Sequence, residues 1–181
     1  VASLSVQEVL QEVPLAGESN ERDSKWRAKR RAWAGSGNSL QLGDPMVLLK
    51  AIGAAEYAHS QGKLTEFCDE HGLRLKGVQE IRKLRIQLTN DINLNVPNLE
   101  LSVNPKMEPP TDQQAKMLRQ ILMAGLGDQV ARKIPDDELK LKADKHKLKY
   151  AYQIPEMEEP AHIHSCSILR KKQPEFVVYQ E

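Results

Sequence analysis

Apolar side chains recur every three or four residues along most of the first 134 residues, which predicts a series of amphipathic helices. The clearest start lies in GDPMVLLKAIGAAEYA, where Asp44 can cap the helix and Pro45 suits its first position. The core-facing positions predicted for this helix are Met46, Leu49, Ile52 or Gly53, and Tyr57.

Two shorter helices are predicted from their end residues. In SVQE, Ser5 and Glu8 have the spacing of a capping box, so a short helix is expected to run toward Pro14. TEFCDEHG is expected to be capped by Thr65 and stopped by Gly72 in the left-handed conformation.

The longest predicted helix covers about residues 76–92. Another begins at Thr111, with Gln114 in capping-box register. Gly125 and Gly127 interrupt its pattern, which predicts either a break in the helix or the close approach of another backbone.

The segment KWRAKRRAW places Trp26, Arg30 and Trp33 on one helix face, but it offers little apolar surface to hold that helix against a core. We therefore expect residues 14–40 to be a basic, flexible insertion. Its tryptophans and arginines suit stacking on the bases of single-stranded RNA, packing onto a partner protein, or a simple solvated face.

After Pro135 the pattern changes from helical spacing to alternation. AHIHSCSIL and PEFVVYQE both alternate side chains and favour β-structure. The predicted fold class is therefore mainly α: a helical bundle to about residue 134, a basic connector, and then the first strands of a β-module.

Charge is balanced overall and segregated locally. The chain carries 26 Lys and Arg against 25 Asp and Glu, a net charge of +1, so the whole molecule does not indicate a nucleic-acid partner. Residues 22–31 and 140–149 are strongly basic, while residues 156–159 are acidic. Local patches of this kind steer a polyanion more effectively than net charge does.

Two cysteines are too few for a disulfide framework, which favours a reducing compartment. No apolar run approaches the roughly 18 residues of a membrane span, and no signal peptide is recognisable. The chain begins without methionine and stops in a strand-like sequence, so we expect it to be a piece of a larger protein.

The helix at 76–92 contains an unusual arginine. Val78, Ile81, Leu84 and Leu88 form its apolar stripe, and Arg85 projects at the border of that stripe with Arg82 one turn away. A guanidinium fixed on a long helix can hold a phosphate through two hydrogen bonds. The alternative is an intramolecular salt bridge, for instance to Asp69 or Glu70.

No catalytic site is predicted, because the sequence has no P-loop, paired-carboxylate site or nucleophile triad. His162, His164 and Cys166 alternate along a strand, and Cys68 and His71 are a helical turn apart. These are types that zinc accepts. No fourth ligand accompanies them, so we predict no metal site.

Five blocks in order carry a family resemblance: VASLSV, GDPMVLLKAIGAAEYA, FCDEHGLRLKGVQEIRKLRIQL, AGLGDQVARKI and HIHSCSILRKKQPEFVVYQE. Together they resemble the region that follows the motor core in DEAH-box RNA helicases. The residues in these blocks most resemble those of the nucleolar branch that acts in ribosome assembly, the DEAH-box helicase 37 or Kurz type.

The resemblance implies a division of the chain into five regions. These are the end of a winged-helix region (1–13), the basic insertion (14–40), a helical ratchet-like or helicase-associated domain (41–134), a connector (135–160) and the start of an OB-fold (161–181).

The resemblance also implies a function. The parent protein would be an ATP-dependent helicase that uses ATP and Mg²⁺ and moves 3′ to 5′ along RNA during small-subunit pre-ribosomal RNA processing in the nucleolus. This part would bind no cofactor itself. Its expected partners are single-stranded pre-ribosomal or small nucleolar RNA, the RecA-like motor domains of the same protein, and an activator protein of ribosome assembly.

Residues matching the family's patterns are the candidate RNA contacts. Arg85 matches the arginine of the IRxQL helix, and Gly125 matches a glycine that the family places at a helix start. His164 and Ser167 match the IHPSS motif, although Ser165 and Cys166 here replace its proline and first serine. The remaining candidates are Lys76 and Arg82. The rival hypothesis is a non-enzymatic scaffold that docks a ribosome-assembly factor.

Overall fold

We obtained the structure as a computed structural model, and it describes residues 2–6, 8–14, 20–135, 137–138, 148 and 150–180. The chain divides into two compact units. The first, here called the helical unit, is drawn from residues 1–35 and 44–111. The second, here called the sheet unit, is drawn from residues 36–43 and 112–181.

Helices precede a small antiparallel sheet, so the predicted fold class is confirmed. In chain order the elements are a 3-10 turn (η1, Ala2–Leu4), α1 (Glu21–Ala34), α2 (Gly37–Leu42), α3 (Asp44–Ser60), α4 (Leu64–His71), α5 (Leu75–Asn95), α6 (Asp112–Gly125), β1 (Val130–Lys133), β2 (Ala151–Gln153), β3 (Ala161–His162) and β4 (Phe176–Val178).

Helix α1 arises from the basic segment that was expected to be flexible. Asn20 and Asp23 form a capping box, in which each side chain accepts a hydrogen bond from the other residue's backbone N–H. Trp26 and Trp33, the predicted face, are buried at 5% and 7% exposure. The prediction of a flexible insertion is therefore wrong for this helix, because two large aromatic rings supply the apolar surface that its other residues lack.

Helix α3 packs against α1, α4 and α5 through a face of small residues. Ala51, Ala55 and Ala58 are buried, which lets the neighbouring helices approach closely. Met46 and Ile52 are buried as predicted. Tyr57 was expected to face the core, but it is exposed because the alanine side of α3 is the packed one.

The short helix predicted to run toward Pro14 does not form in the described residues of that segment, which exclude Gln7. The chain is extended there, and Leu10 pairs with Leu73 as an antiparallel bridge. The Gln11 N–H donates to the Gly72 carbonyl over 2.8 Å. Pairing with the turn after α4 thus replaces the hydrogen bonds that a helix would have supplied.

The turn after α4 is closed by Gly72, in the left-handed conformation that was predicted (φ 66°, ψ 42°). A Cβ atom at this position would overlap the Trp26 ring, so glycine is required by space as well as by conformation. The predicted cap, Thr65, is wrong, since α4 begins at Leu64 with Lys63 as the N-cap residue.

Helix α5 confirms the long helix predicted near residues 76–92. Its first half is anchored by Val78 and Ile81, which are almost completely buried. Its second half carries exposed apolar residues, and there Asn93 donates to and accepts from the backbone of Leu101, each over 2.8 Å. The proline-rich segment after α5 is thereby tied back to the helix.

In the sheet unit, α2 packs against α6. The backbone N–H of Asn38 donates to the Asp112 carboxylate over 2.9 Å, and its side-chain amide donates to the same carboxylate over 2.6 Å. Arg119 donates to the Asn38 side-chain oxygen over 3.1 Å. Polar bonds to α6 therefore hold a segment that lies more than seventy residues earlier in the chain.

The sheet has the strand order β3-β2-β1-β4, and every neighbouring pair is antiparallel. Its inner face packs Ala131, Tyr152 and Ile154, with Val177 and Tyr179 against them. The Tyr152 hydroxyl donates to the Pro174 carbonyl over 2.7 Å, which ties the core to the segment before β4.

Two strands lie where none was predicted. β1 occupies a segment expected to be helical, and β2 lies inside the expected connector, 135–160. Both are short, and their pairing partners are distant in sequence, so local periodicity does not reveal them. The basic run 140–149 lies outside the described residues except for Leu148.

Among the described residues, none of the helices combines the length and the apolar character needed to cross a membrane.

Candidate nucleic-acid interface

Helix α5 carries three of the six predicted RNA contacts. Its buried side is fixed by Val78 and Ile81, which orient every other residue of the helix. Arg82 and Arg85 are three positions apart, so they project from neighbouring parts of one face. Both are half-buried.

Arg82 forms a forked ion pair with Glu56 of α3. Its Nε donates to one carboxylate oxygen over 2.9 Å and its Nη2 donates to the other over 3.0 Å. The same Nη2 lies 3.0 Å from Nδ1 of His59. The side chains of Arg82 and Glu56 are 18% and 9% exposed, so the pair is largely shielded from water.

The predicted alternative, a salt bridge from this helix face, is therefore right in kind and wrong in partner. Asp69 and Glu70 were suggested, but the carboxylate that pairs with Arg82 is that of Glu56 on α3. The sequence does contain a signal that Glu56 could have a structural partner, because it is a single carboxylate inside an alanine-rich stretch of helix.

The electrostatics of this cluster are set by one carboxylate among several cations. The hydrogen bonds from Arg82 hold the pKa of Glu56 below its ordinary value, while burial opposes them. The charges of Arg82, Arg85 and His59 lower this pKa further. Glu56 is consequently ionised, and Arg82 is neutralised by it.

Arg85 differs from Arg82 in having no such partner. Within the described part of the chain, no hydrogen bond or ion pair engages its guanidinium. Its backbone carbonyl accepts from the Thr89 hydroxyl over 2.8 Å, as part of the helix. Arg85 thus combines a fixed position at the edge of the core with free donors on its side chain.

Lys76 is exposed and does not join Arg85. Nine residues separate the two, which corresponds to about half a turn around an α-helix and about 13 Å along it. Lys83 lies two turns beyond Lys76 on the same exposed side. The two cations predicted to act together therefore project from opposite sides of α5.

The tryptophans of α1 are not available to stack on RNA bases. The Trp26 indole N–H donates to the Glu70 carbonyl over 2.9 Å, and Arg22 covers its ring at 4.6 Å. Trp33 stacks on His71 with the ring centres 5.8 Å apart. Both rings belong to the core of the helical unit, so the hypothesis of base stacking by this segment is wrong.

In the sheet unit, Gly125 is the last residue of α6 and is exposed. The resemblance placed it at a helix start, so that part of the expectation is wrong. The predicted helix break is confirmed. Close backbone approach is not the reason for it at Gly125, since an added Cβ atom would meet nothing within 4 Å.

His164 and Ser167 form one tight turn after β3. The Ser167 N–H donates to the His164 carbonyl over 3.0 Å, and the Cys166 N–H donates to the His164 ring over 3.3 Å. The Ser167 hydroxyl oxygen accepts from the Leu169 N–H over 3.2 Å. The replacements Ser165 and Cys166 are thus accommodated in an ordered turn.

Among the described residues, no group of three His, Cys, Asp or Glu side chains is placed to hold a metal ion. His162, His164 and Cys166 are all exposed. Cys68 is buried, and burial, with a smaller effect from Asp69, raises the pKa of its thiol to about 11.

Residues 118–181 match the family described as the oligonucleotide/oligosaccharide-binding (OB)-fold. The strands of the sheet unit are therefore the first strands of an OB-fold, as expected, but the match begins well before the predicted boundary at residue 161. The family match thereby defines the fold class of residues 118–181.

The whole chain is similar to longer proteins. The probable ATP-dependent RNA helicase kurz of Drosophila melanogaster is 56% identical over 183 residues, which cover 100% of this chain and 15% of that protein. The probable ATP-dependent RNA helicase DHX37 of Homo sapiens is 46% identical over 188 residues, covering 100% and 16%. The putative ATP-dependent RNA helicase rha-2 of Caenorhabditis elegans is 34% identical over 154 residues, covering 84% and 13%.

The family resemblance stated from five sequence blocks is therefore confirmed. The chain is a relative of the ATP-dependent RNA helicases, and it spans about 15% of the length of the kurz protein that it matches.

Proposed function

We propose that this chain is the RNA-holding part of a longer ATP-dependent RNA helicase. Its similarity to kurz and DHX37 along its full length supports this assignment. The sequence contains no P-loop. ATP and Mg²⁺ would accordingly be used by RecA-like motor domains of the same protein, which are the expected intramolecular partner.

The chain would hold single-stranded RNA through its sugar–phosphate backbone while the motor moves 3′ to 5′. Contacts to phosphate carry no sequence information, which suits a protein that must move along any RNA. The observation that carries this proposal is the environment of Arg85: a half-buried guanidinium on a long helix, unpaired among the described residues, beside an Arg82 whose charge is already neutralised by Glu56.

The ion pair between Arg82 and Glu56 would give Arg85 its position. A forked pair between α3 and α5 fixes the rotation of α5, so Arg85 needs little further ordering to bind a phosphate. Arg82 itself would then act by orienting the helix. Lys76, Gly125, His164 and Ser167 stay predicted contacts, with the His164–Ser167 turn offering exposed polar groups.

The biological setting proposed for the parent helicase is small-subunit pre-ribosomal RNA processing in the nucleolus. The RNA would be pre-ribosomal or small nucleolar RNA. This part of the proposal is supported by the family resemblance of the quoted sequence blocks alone.

The test compares two charge reversals on the same helix. Arg85→Glu should weaken binding of a fluorescent oligouridylate by about ten-fold and reduce the slope of log affinity against log salt by about one. Lys83→Glu makes the same kind of charge reversal on the opposite side of α5 and should change affinity far less. Arg85→Gln removes the charge without adding a carboxylate beside Glu56, and should give an intermediate loss.

Circular dichroism establishes that each variant is folded. Equal losses for the Arg85→Glu and Lys83→Glu variants would show a diffuse effect of charge and reject Arg85 as a fixed contact. Unchanged affinity in a folded Arg85→Glu protein would reject it as well.

A second candidate function is docking of a ribosome-assembly protein. It is favoured by the exposed apolar residues at the end of α5 and just beyond it, where Leu94 is 83% exposed and Met107 is 61% exposed. Surfaces of this kind often mark protein contacts. Replacing Leu94 by Glu should leave RNA affinity intact and abolish such docking.

A further inference from the structure

The outer face of the sheet carries an aromatic ring beside an arginine. In the pairing of β1 with β4, Arg132 lies directly opposite Phe176, and in the pairing of β1 with β2 it lies opposite Gln153. Side chains opposite one another in neighbouring strands lie on the same face. Phe176, Arg132 and Gln153 therefore form one row across three strands.

The hydrogen bonds around the first pair show how close its side chains are. The Lys133 N–H donates to the Glu175 carbonyl over 2.7 Å, and the Tyr179 N–H donates to the Gln129 carbonyl over 3.0 Å. This alternation makes Arg132 and Phe176 a non-hydrogen-bonded pair. Such pairs have the shorter Cα–Cα distance, about 4.5 Å, and the closer side chains.

The Phe176 ring is not part of the core. The inner face of β4 contributes Val177 to the core, while Phe176 on the outer face is 56% exposed. Exposing a phenyl ring forgoes the stabilisation that burial would give. Arg132 beside it is also exposed, and its guanidinium forms no hydrogen bond or ion pair with any described residue.

Three basic residues precede β4 in the chain. Arg170, Lys171 and Lys172 are exposed in the turn that leads into β4. The acidic residues 156–159 lie in the connection between β2 and β3, and the strand order places β1 between those strands and β4. Glu175, the acidic neighbour of Phe176, faces Lys133 across the strands.

We propose that Phe176 and Arg132 form a stacking surface for the bases of single-stranded RNA, with Arg170, Lys171 and Lys172 holding the adjoining phosphates. Proteins that bind single strands without sequence preference combine an aromatic surface with a basic one. A guanidinium plane next to the ring extends the area on which a base can lie. This inference rests on the proposed RNA-holding function, and it adds contact with bases to the backbone contact assigned to Arg85.

The test distinguishes binding of the RNA bases from binding of the sugar–phosphate backbone. The full chain is titrated with an oligouridylate and with an abasic ribose-phosphate oligomer of the same length. The unaltered chain should bind the oligouridylate more tightly. Phe176→Leu, which keeps an apolar side chain and removes the ring, should weaken oligouridylate binding by about ten-fold and leave binding of the abasic oligomer unchanged. Tyr57→Ala, at a similarly exposed aromatic residue of α3, is the matched control and should change neither.

A second variant reports contact at the site itself. The natural tryptophans, Trp26 and Trp33, are buried, so Phe176→Trp adds an exposed fluorophore. Its emission should be quenched by the oligouridylate and not by the abasic oligomer, while affinity is kept. Absence of this quenching at saturating oligouridylate would overturn the proposal.

The outcomes distinguish this inference from the proposed function. If the Phe176→Leu variant binds both oligomers as the unaltered chain does, the face does not bind bases, and a protein segment becomes its expected occupant. Arg85→Glu should then still weaken binding of both oligomers to a similar degree, which preserves backbone holding. If the unaltered folded chain binds neither oligomer, both proposals are overturned.

Discussion

The two units of the molecule use aromatic and arginine residues in opposite ways. In the helical unit, Trp26 and Trp33 are buried, and Arg30 between them is only 6% exposed and donates to the Gln11 carbonyl. In the sheet unit, Phe176 and Arg132 are both exposed on the outer face. The same chemical types thus build a core in one unit and a surface in the other.

The comparison teaches that residue composition is a poor guide to which aromatic and basic side chains are exposed. The segment KWRAKRRAW has the more suggestive sequence, yet its tryptophans fill the space between α1 and the end of α4. RKKQPEF looks like an ordinary turn and strand, but its cations and ring remain available. Burial decides which of two basic, aromatic segments can meet a ligand.

The largest expected effect is on the free energy of unfolding, when one aromatic residue from each unit is replaced by alanine. Trp26→Ala should lower the free energy of unfolding by about 3–5 kcal/mol, because it leaves a cavity and removes the hydrogen bond to Glu70. Phe176→Ala should cost less than about 1 kcal/mol, since its ring is mostly in water. Urea unfolding followed by far-ultraviolet circular dichroism measures both. Similar losses for the two variants would abolish the contrast between the units.

A slightly smaller effect is expected from Gly72→Ala. The new methyl group would have to displace the Trp26 ring and adopt a left-handed backbone, at a combined cost of about 2–4 kcal/mol. Gly62→Ala is the matched control, since Gly62 also has a positive φ (72°) but open space around it, and should cost about 1 kcal/mol. Fluorescence of the two tryptophans, both in the helical unit, follows the unfolding. A Gly72→Ala protein as stable as the Gly62→Ala protein would contradict tight packing of Trp26.

The helices of this protein were largely predictable, because amphipathic spacing and end residues are local. Gly72 stops α4 in the expected conformation, and the face of α1 containing Trp26 and Trp33 was identified from spacing alone. The spacing did not reveal which part of the molecule this face packs against, namely the end of α4. Whether two tryptophans suffice to hold a basic helix depends on the turn at Gly72, which lies 46 residues after Trp26 and 39 after Trp33.

The sheet and the candidate site were harder to predict for the same reason. β1 pairs on one side with β2 and on the other with β4, which lie about twenty and forty-five residues later, and four residues of VARK show no decisive alternation. The importance of Arg85 was predicted from its place at the edge of an apolar stripe. Its distinction from Arg82 depends on Glu56, a partner on a different helix.

The ion pair of Glu56 with Arg82 predicts a pH-dependent stability of the helical unit. Glu56→Gln should lower the free energy of unfolding at pH 7 by about 1.5–3 kcal/mol, because it weakens two charged hydrogen bonds in a shielded site. Because the folded-state pKa of Glu56 is lowered from its ordinary value of 4.5, its contribution is fully present above that pH. The contribution is lost as pH falls through the lowered pKa.

The difference in stability between the unaltered protein and the Glu56→Gln variant should therefore be constant near neutrality and shrink in acid. Urea unfolding monitored by tryptophan fluorescence at several pH values between 3 and 7 provides the measurement. A stability difference that instead grew as the pH fell would have the opposite pH dependence, and it would exclude this ion pair as the source of the difference.

The mildest comparison leaves the sequence unchanged and uses one cysteine from each unit. Burial raises the pKa of Cys68 to about 11, with a smaller contribution from Asp69, and its thiol is also shielded from reagents; Cys166 is exposed. Since the thiolate is the reactive form, a disulfide reagent at pH 8 should modify Cys166 rapidly and Cys68 only as the helical unit opens. The slow phase should accelerate in urea together with the change in tryptophan fluorescence, because Cys68 and both tryptophans belong to one core. If the reagent modified both thiols equally fast in the folded protein, Cys68 would be no better protected from it than Cys166 is.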